Sequence, residues 1–291
     1  MRDAFLRELT RQAANDPSVM LVTGDLGFGV LNEYSQRFPD QFINAGVAEQ
    51  NMTAMACGLA MEGYRVFTYS IANFTTLRCL EQIRNDVCYH NTDVTVVSIG
   101  GGFSYGQLGV SHFATEDLAI LRALPNMTVI APTDPWEAEE LVRQLPATPG
   151  PKYLRIDKSA ASLAPDPGSV TLGKARRVRE GVDATVICVG AILSEALQAA
   201  EILAQDGIEL RVVGIHTLKP LDIDEVTAAA RDTGGIVTLE EHSVIGGLGG
   251  AVAETLLEAG CAPGFFRRRD HGGHDALHAD GQRAGRKVIF A

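Results

Sequence analysis

Short apolar runs alternate with segments of helical period along most of this 291-residue chain, and that alternation restricts the fold more than any other feature. Residues 19–22 form one such run and lead into Gly24-Asp25. Residues 41–44 read as a short strand, and residues 66–69 precede a helix predicted over 74–89. The run Val94-Thr95-Val96-Val97-Ser98-Ile99 enters Gly100-Gly101-Gly102, and Thr128-Val129-Ile130 meets Ala131-Pro132 before a helix predicted over 135–145. Pro135 suits the first turn of that helix, where its missing N–H would have no helical partner. Runs of this length separated by helices imply an α/β fold with mainly parallel sheet.

The pattern breaks once and restarts. Pro146, Pro149, Gly150, Pro151, Pro165, Pro167 and Gly168 mark a shift toward stiff, extended chain. We therefore expect a first domain over residues 1–160, a linker over 161–178, a second domain over 179–262 and an irregular tail over 263–291. The strand at 153–156 is expected to close the first sheet. In the second domain, residues 184–189, 210–213 and 235–239 read as strands. Residues 194–204 and 247–258 read as helices, the first with Ala196, Leu197, Ala200 and Leu203 inward.

Composition excludes several functions. A net charge of −11 argues against a nucleic-acid surface, which would need a basic face. No apolar run reaches membrane-spanning length, and the opening Met-Arg-Asp-Ala-Phe-Leu lacks the apolar core of a signal peptide. Cys57, Cys79, Cys88, Cys188 and Cys261 form no Cys-x-x-Cys pair and read as reduced, mostly buried residues of a cytoplasmic protein.

The stretch Ala45-Gly46-Val47-Ala48-Glu49-Gln50-Asn51-Met52 sets a carboxyl group where a glycine turn after a strand becomes a helix, with Met52, Met55, Ala56, Leu59 and Ala60 at helical spacing. Strand ends of this kind are where α/β proteins build sites. The plain alternative is a helix-start carboxylate favoured by the macrodipole. Gly246-Gly247-Leu248-Gly249-Gly250 lacks the register of a dinucleotide loop and reads as close helix packing. His271, His274 and His278 with Asp270 and Asp275 have metal-binding spacing in a Gly-rich tail, where loop is the ordinary reading.

Taken together the motifs resemble the thiamine-diphosphate enzymes of the transketolase group, including 1-deoxyxylulose-5-phosphate synthase. The strings are Thr23-Gly24-Asp25-Leu26, Gly46-Val47-Ala48-Glu49-Gln50-Asn51, Glu81-Gln82-Ile83-Arg84-Asn85, Ser111-His112, Glu116-Asp117 and Leu124-Pro125-Asn126-Met127. The second domain adds Thr217-Leu218-Lys219-Pro220-Leu221-Asp222 and the segment from Glu240 to Gly249. The resemblance implies the C-terminal half of such an enzyme encoded as its own subunit, a pyrimidine-binding domain followed by a transketolase C-terminal-like domain. The family holds the cofactor's diphosphate and Mg²⁺ on another domain, through a Gly-Asp-Gly…Asn motif that this chain lacks. It therefore implies a companion subunit carrying the Mg²⁺ ligands, an α2β2 assembly and a two-carbon ketol transfer between sugars or sugar phosphates.

By the same resemblance Glu49 is the carboxyl group that sets the tautomer of the aminopyrimidine, and Phe74 is the ring stacked on it. Ile71 and Leu77 stand where transketolases have further aromatic residues, and Asp25 lies at the cofactor end. Arg78 either orients Glu49, faces substrate or is a solvated helix charge. His112 matches the family's Ser/Thr-His pair, as a site residue beside the thiazolium or as a loop residue alone. Gly100 and Leu108 occupy positions where transketolases read sugar hydroxyls with an imidazole and a carboxylate, and Gln107 adjoins them. Arg155 either contacts substrate phosphate or closes the domain junction. Polar readers discriminate strongly and apolar ones do not, so these departures imply an unusual ketose, nucleotide-linked sugar or 2-oxo acid. Alternatives are a β subunit of a 2-oxo acid decarboxylating dehydrogenase or acyloin-forming synthase, and, from another class, a non-catalytic scaffold subunit or a standalone nucleotide-binding dehydrogenase.

Overall fold

The computed structural model describes residues 1–158, 161, 163–166 and 168–261. The expected tail over 263–291, with its histidines, lies outside the described residues.

The chain opens with α1 (Arg2–Asn15), which buries Ala4, Phe5, Glu8, Leu9, Gln12 and Ala13 along one stripe. Then follow β1 (Val19–Thr23), α2 (Asn32–Arg37), β2 (Phe42–Asn44), α3 (Glu49–Met61) and β3 (Arg65–Ile71). Next come α4 (Ala72–Thr75), α5 (Leu80–Gln82), β4 (Val94–Ile99), α6 (Asp117–Ala123), β5 (Thr128–Ile130), α7 (Pro135–Gln144) and β6 (Lys152–Ile156). The second half contains β7 (Arg176–Arg179), β8 (Ala184–Cys188), α8 (Leu193–Ala204), β9 (Leu210–Gly214), β10 (Thr217–Lys219), α9 (Ile223–Asp232), β11 (Ile236–Leu239) and α10 (Leu248–Glu258).

Two mainly parallel sheets result. The first has seven strands in the order β10-β5-β6-β4-β3-β1-β2, the second four in the order β11-β8-β9-β7. Among the described strands, only β10 and β7 run antiparallel to their neighbours. Strands such as β1, β4 and β6 are buried on both faces, as parallel sheets covered by helices require. One apolar cluster runs from Met20 and Met52 through Leu121 to Val213, Leu218 and Leu248, so residues of both sheets share a core. A second lies between Phe5, Leu9, Phe67 and Leu141, and a third around Leu193, Ala196 and Val212.

Two expectations need correction. The strand at 153–156 does not close the first sheet; β6 lies inside it, between β5 and β4. The edge is taken by β10, contributed from the second half of the sequence, with Thr217 opposite Ile130. The continuous helix expected over 74–89 is also broken into α4, a 3₁₀ turn at Leu77–Cys79, α5 and a π-helical turn at Ile83–Cys88. The break falls where the Thr75 and Thr76 hydroxyls both donate to the Ala72 carbonyl and Thr76 leaves the helical region at φ −106°, ψ −82°. Hydroxyls that bond back to the preceding turn compete with the helix ladder.

Candidate active site

The loops after β1, β2, β3 and β4 meet at the carboxyl edge of the first sheet, and Asp25, Glu49, Phe74, Arg78, Gly100 and His112 lie on or beside them. Asn44 sets the turn before α3: its Oδ1 accepts from the backbone N–H groups of Asp25 (3.1 Å) and Gly46 (3.0 Å), and its Nδ2 donates to Asp25 Oδ1 (2.9 Å). Asp25 (φ +55°) and Gly46 (φ +74°) both take left-handed backbone to make that corner. Asp25 thus has a local role visible in the structure, as the staple between two site loops.

This turn delivers Glu49 as the first residue of α3 with only 3% of its surface exposed. Gly24 lines its other side; a Cβ there would lie 3.0 Å from Glu49 Cγ. Arg78 Nη1 donates to Glu49 Oε2 at 2.8 Å, and the same guanidinium carbon lies 4.2 Å above the centre of the Phe74 ring. Of the three readings open for Arg78, the structure gives the one in which it contacts Glu49. Gln50 Nε2 donates to the Arg78 carbonyl and pins the 3₁₀ turn in place. Below lies Cys79, whose thiol burial pushes up to about 11. Ile71 is buried at the end of β3, whereas Leu77 is 41% exposed.

The His112 ring stands 5.0 Å from that of Phe74, tilted by 59°, and its Nδ1 shares a hydrogen bond with Ser111 Oγ (2.9 Å). Asn73 Nδ2 donates to the Ser111 carbonyl, tying this loop to α4. Gly102 and Ala114 pair antiparallel and close the loop at its base. Gln107 and Leu108 are exposed on the intervening 3₁₀ turn.

At Gly100 the structure adds a residue that sequence reasoning passed over. Gly100 is buried at φ +81°, and a Cβ there would fall 2.3 Å from Tyr105 Cε2. The expected substrate position at residue 100 is therefore roofed by the Tyr105 ring. That ring lies 6.3 Å from His112, and Lys158 Nζ sits 4.4 Å over it. An aromatic residue shortly after a triple glycine was the available signal.

Of the two readings open for Arg155, the structure gives the one at the domain junction. It is 2% exposed, and its guanidinium donates to Asp157 Oδ1 (3.1 Å), Asp117 Oδ1 (3.3 Å) and the Glu241 carbonyl (3.2 Å). Burial opposes its charge, but Asp157 and Asp117 more than offset this and raise its pKa. It closes the junction between the two halves and has no surface left for a substrate phosphate. The glycine-rich segment at 246–250 likewise serves packing: Glu240 accepts from the Leu248 (2.7 Å) and Gly249 (2.9 Å) amides, filling the N-terminus of α10. A phosphate would meet a carboxylate there.

The aminopyrimidine end of thiamine diphosphate fits the residues present. A planar hydrogen-bond donor, the Arg78 guanidinium, already rests on Phe74 and Glu49 together. No cluster of three or more His, Cys, Asp or Glu suited to a metal ion occurs among the described residues. No helix among them is long and apolar enough to cross a membrane.

Comparison with known proteins agrees with this architecture. Residues 1–162 match the transketolase pyrimidine-binding domain and residues 173–268 the transketolase C-terminal domain. The chain is 36% identical over 260 residues to one of the subunits of the apulose-4-phosphate transketolase of Phocaeicola vulgatus, covering 88% of this chain and 83% of that one. It is 38% identical over 260 residues to the 6-deoxy-6-sulfo-D-fructose transketolase subunit SqwH of Clostridium sp., covering 89% and 81%. A solved split-gene transketolase, an inactive β4 tetramer, superposes with a TM-score of 0.82 at 36% identity, covering 90% of this chain and 86% of that one. The chain belongs to the transketolase family, of which it carries the pyrimidine-binding and C-terminal domains.

Proposed function

We propose that this chain is one subunit of a split, thiamine-diphosphate-dependent transketolase that transfers a two-carbon ketol unit between sugars or sugar phosphates. A companion subunit would hold the diphosphate and Mg²⁺, in an α2β2 assembly with the site between chains. The observation that carries this reading is Glu49, a carboxyl group held at 3% exposure at the head of α3, beside Phe74 and Arg78.

In this reading Glu49 and Phe74 hold the aminopyrimidine ring. Thiamine diphosphate, when bound, supplies the carbon nucleophile and electron sink that ketol transfer requires. Glu49, 3% exposed, would hydrogen-bond the far nitrogen of the aminopyrimidine ring. Phe74 provides an apolar face, where an aromatic stack adds about 0.5–1.5 kcal/mol beyond area burial. His112 and Tyr105 form the wall toward the substrate, and Lys158 offers an ammonium group at its far end. That cation suits the charged ketoses named for the relatives, a phosphate in one and a sulfonate in the other.

A companion chain is supported by the surface. Phe28 (79% exposed), Val47 (77%), Leu108 (55%) and Val110 (51%) are large apolar residues in the loops around the site. Several exposed apolar groups gathered at one edge mark a contact surface.

Reconstitution with the companion chain tests the reading. Glu49→Ala should leave association intact and lower ketol transfer about 10²–10⁴-fold, the usual worth of a positioned acid or base. Undiminished turnover would favour the scaffold reading instead.

A further inference from the structure

We infer that Arg78 is a place-holder: in the chain without cofactor it occupies the contacts of the aminopyrimidine ring and must swing out to admit it. This rests on the reading of the site given under Proposed function. The guanidinium is a flat cation with N–H donors on its edge, the two properties by which a protonated heterocycle would be recognised here. Its carbon stands 4.2 Å from the centre of the Phe74 ring, which leaves no room for a second ring between them. Its Nη1 meanwhile holds Glu49 Oε2 at 2.8 Å. The His112 ring also stands beside Phe74, with ring centres 5.0 Å apart and a tilt of 59°.

The side chain is built to leave. It is 44% exposed, whereas Glu49 is 3% exposed, so its departure returns a charge to water and opens the buried carboxyl group. Its backbone need not follow, because Gln50 holds the Arg78 carbonyl at 3.1 Å while the side chain moves. The 3₁₀ turn that carries it, Leu77–Cys79, is set off from α4 by the break at Thr76. With Arg78 inward, the buried carboxylate keeps a partner during the time the subunit spends without cofactor. Leaving such a charge unpaired would be costly.

The test uses the full chain and thiamine, which carries the same aminopyrimidine without the diphosphate, with binding followed by ligand-observed NMR and calorimetry. Arg78→Ala removes the competitor, and thiamine should bind about tenfold tighter than to the parent, equal to about 1.4 kcal/mol. Such a change is the scale expected from displacing one half-exposed ion pair and one cation–π contact. Arg78→Lys, which keeps the charge without the flat fork, should lie between the two. Equal or weaker binding by the Arg78→Ala chain, or binding by neither, would overturn the proposal. Glu49→Ala serves as the separate control. If it binds thiamine as well as the parent does, the assignment of the ring site itself fails, whatever Arg78 does.

Discussion

Replacing Arg155 by Met separates the two roles a sequence reading leaves open for it. Met keeps the length of the stem and removes the charge, so the space stays filled while three donated hydrogen bonds vanish, to Asp157, Asp117 and the Glu241 carbonyl. Both carboxylates remain buried, Asp117 at 1% and Asp157 at 3% exposure. Asp117 keeps the Tyr153 hydroxyl (2.5 Å) and Asp157 the Ala191 amide (3.0 Å), which soften the loss without neutralising the charge. Removing one member of a buried ion pair costs about 3–5 kcal/mol. For a chain of this size each kcal/mol lowers the unfolding midpoint by about 2–4 °C, so a fall of roughly 6–20 °C is expected. Differential scanning calorimetry of the full chain reads this directly. Gly101→Ala should reach the same end by another route, since a Cβ there would lie 1.7 Å from Arg155 Nε. A midpoint within about 2 °C of the parent, together with a selective rise in KM for phosphorylated substrates in the reconstituted enzyme, would refute the reasoning. It would mean that the guanidinium reaches substrate after all.

Two further outcomes follow from particular contacts. Gly24→Ala would press a methyl group to 3.0 Å from Glu49 Cγ; a displaced carboxyl should lower turnover of the reconstituted enzyme by up to about 10²-fold with little change in unfolding midpoint, and a fully active variant would show that Glu49 tolerates the shift. Burial lowers the pKa of His216 from 6.5 to about 4, so the folded chain resists a proton that the unfolded chain accepts. Its contribution to stability is therefore steady above about pH 6.5 and falls as pH drops toward 4, by about 3 kcal/mol in all. His216→Gln should be less sensitive to acid over that window in urea titrations, and parallel curves for the two chains would contradict it.

Much of this arrangement is legible in residue order because its causes are local. The parallel strands announce themselves as short, doubly buried apolar runs, and Pro135 marks the start of α7, where Asp134 accepts from the Glu137 amide at 2.8 Å. Glu49 is legible for the same reason: a glycine corner and the helix after it are both written within ten residues. What escapes is set by partners distant in sequence. The edge position of β10 depends on its pairing with β5, some ninety residues earlier, so the strand at 153–156 falls in the interior instead. Arg155 offers two readings until Asp117 and Glu241 are seen around it. The fracture of the 74–89 helix is carried by two adjacent threonines whose hydroxyl bonds no periodicity reveals.

That fracture has a consequence for chemistry. A continuous helix would fix Phe74 and Arg78 one above the other on a single face, since residues four apart are neighbours there. The break at Thr76 instead places Arg78 on its own short turn, held at its carbonyl by Gln50 and with its half-exposed guanidinium on Glu49 and Phe74. Phe74 remains on α4, locked to the sheet through the hydrogen bond between Thr75 and Ser98. The ring that must stay still and the guanidinium that must move are thus mounted on different pieces of backbone. On the proposed reading, a chain that receives thiamine diphosphate would need both, a rigid face for the ring and a removable cation to keep the buried carboxylate paired until it comes.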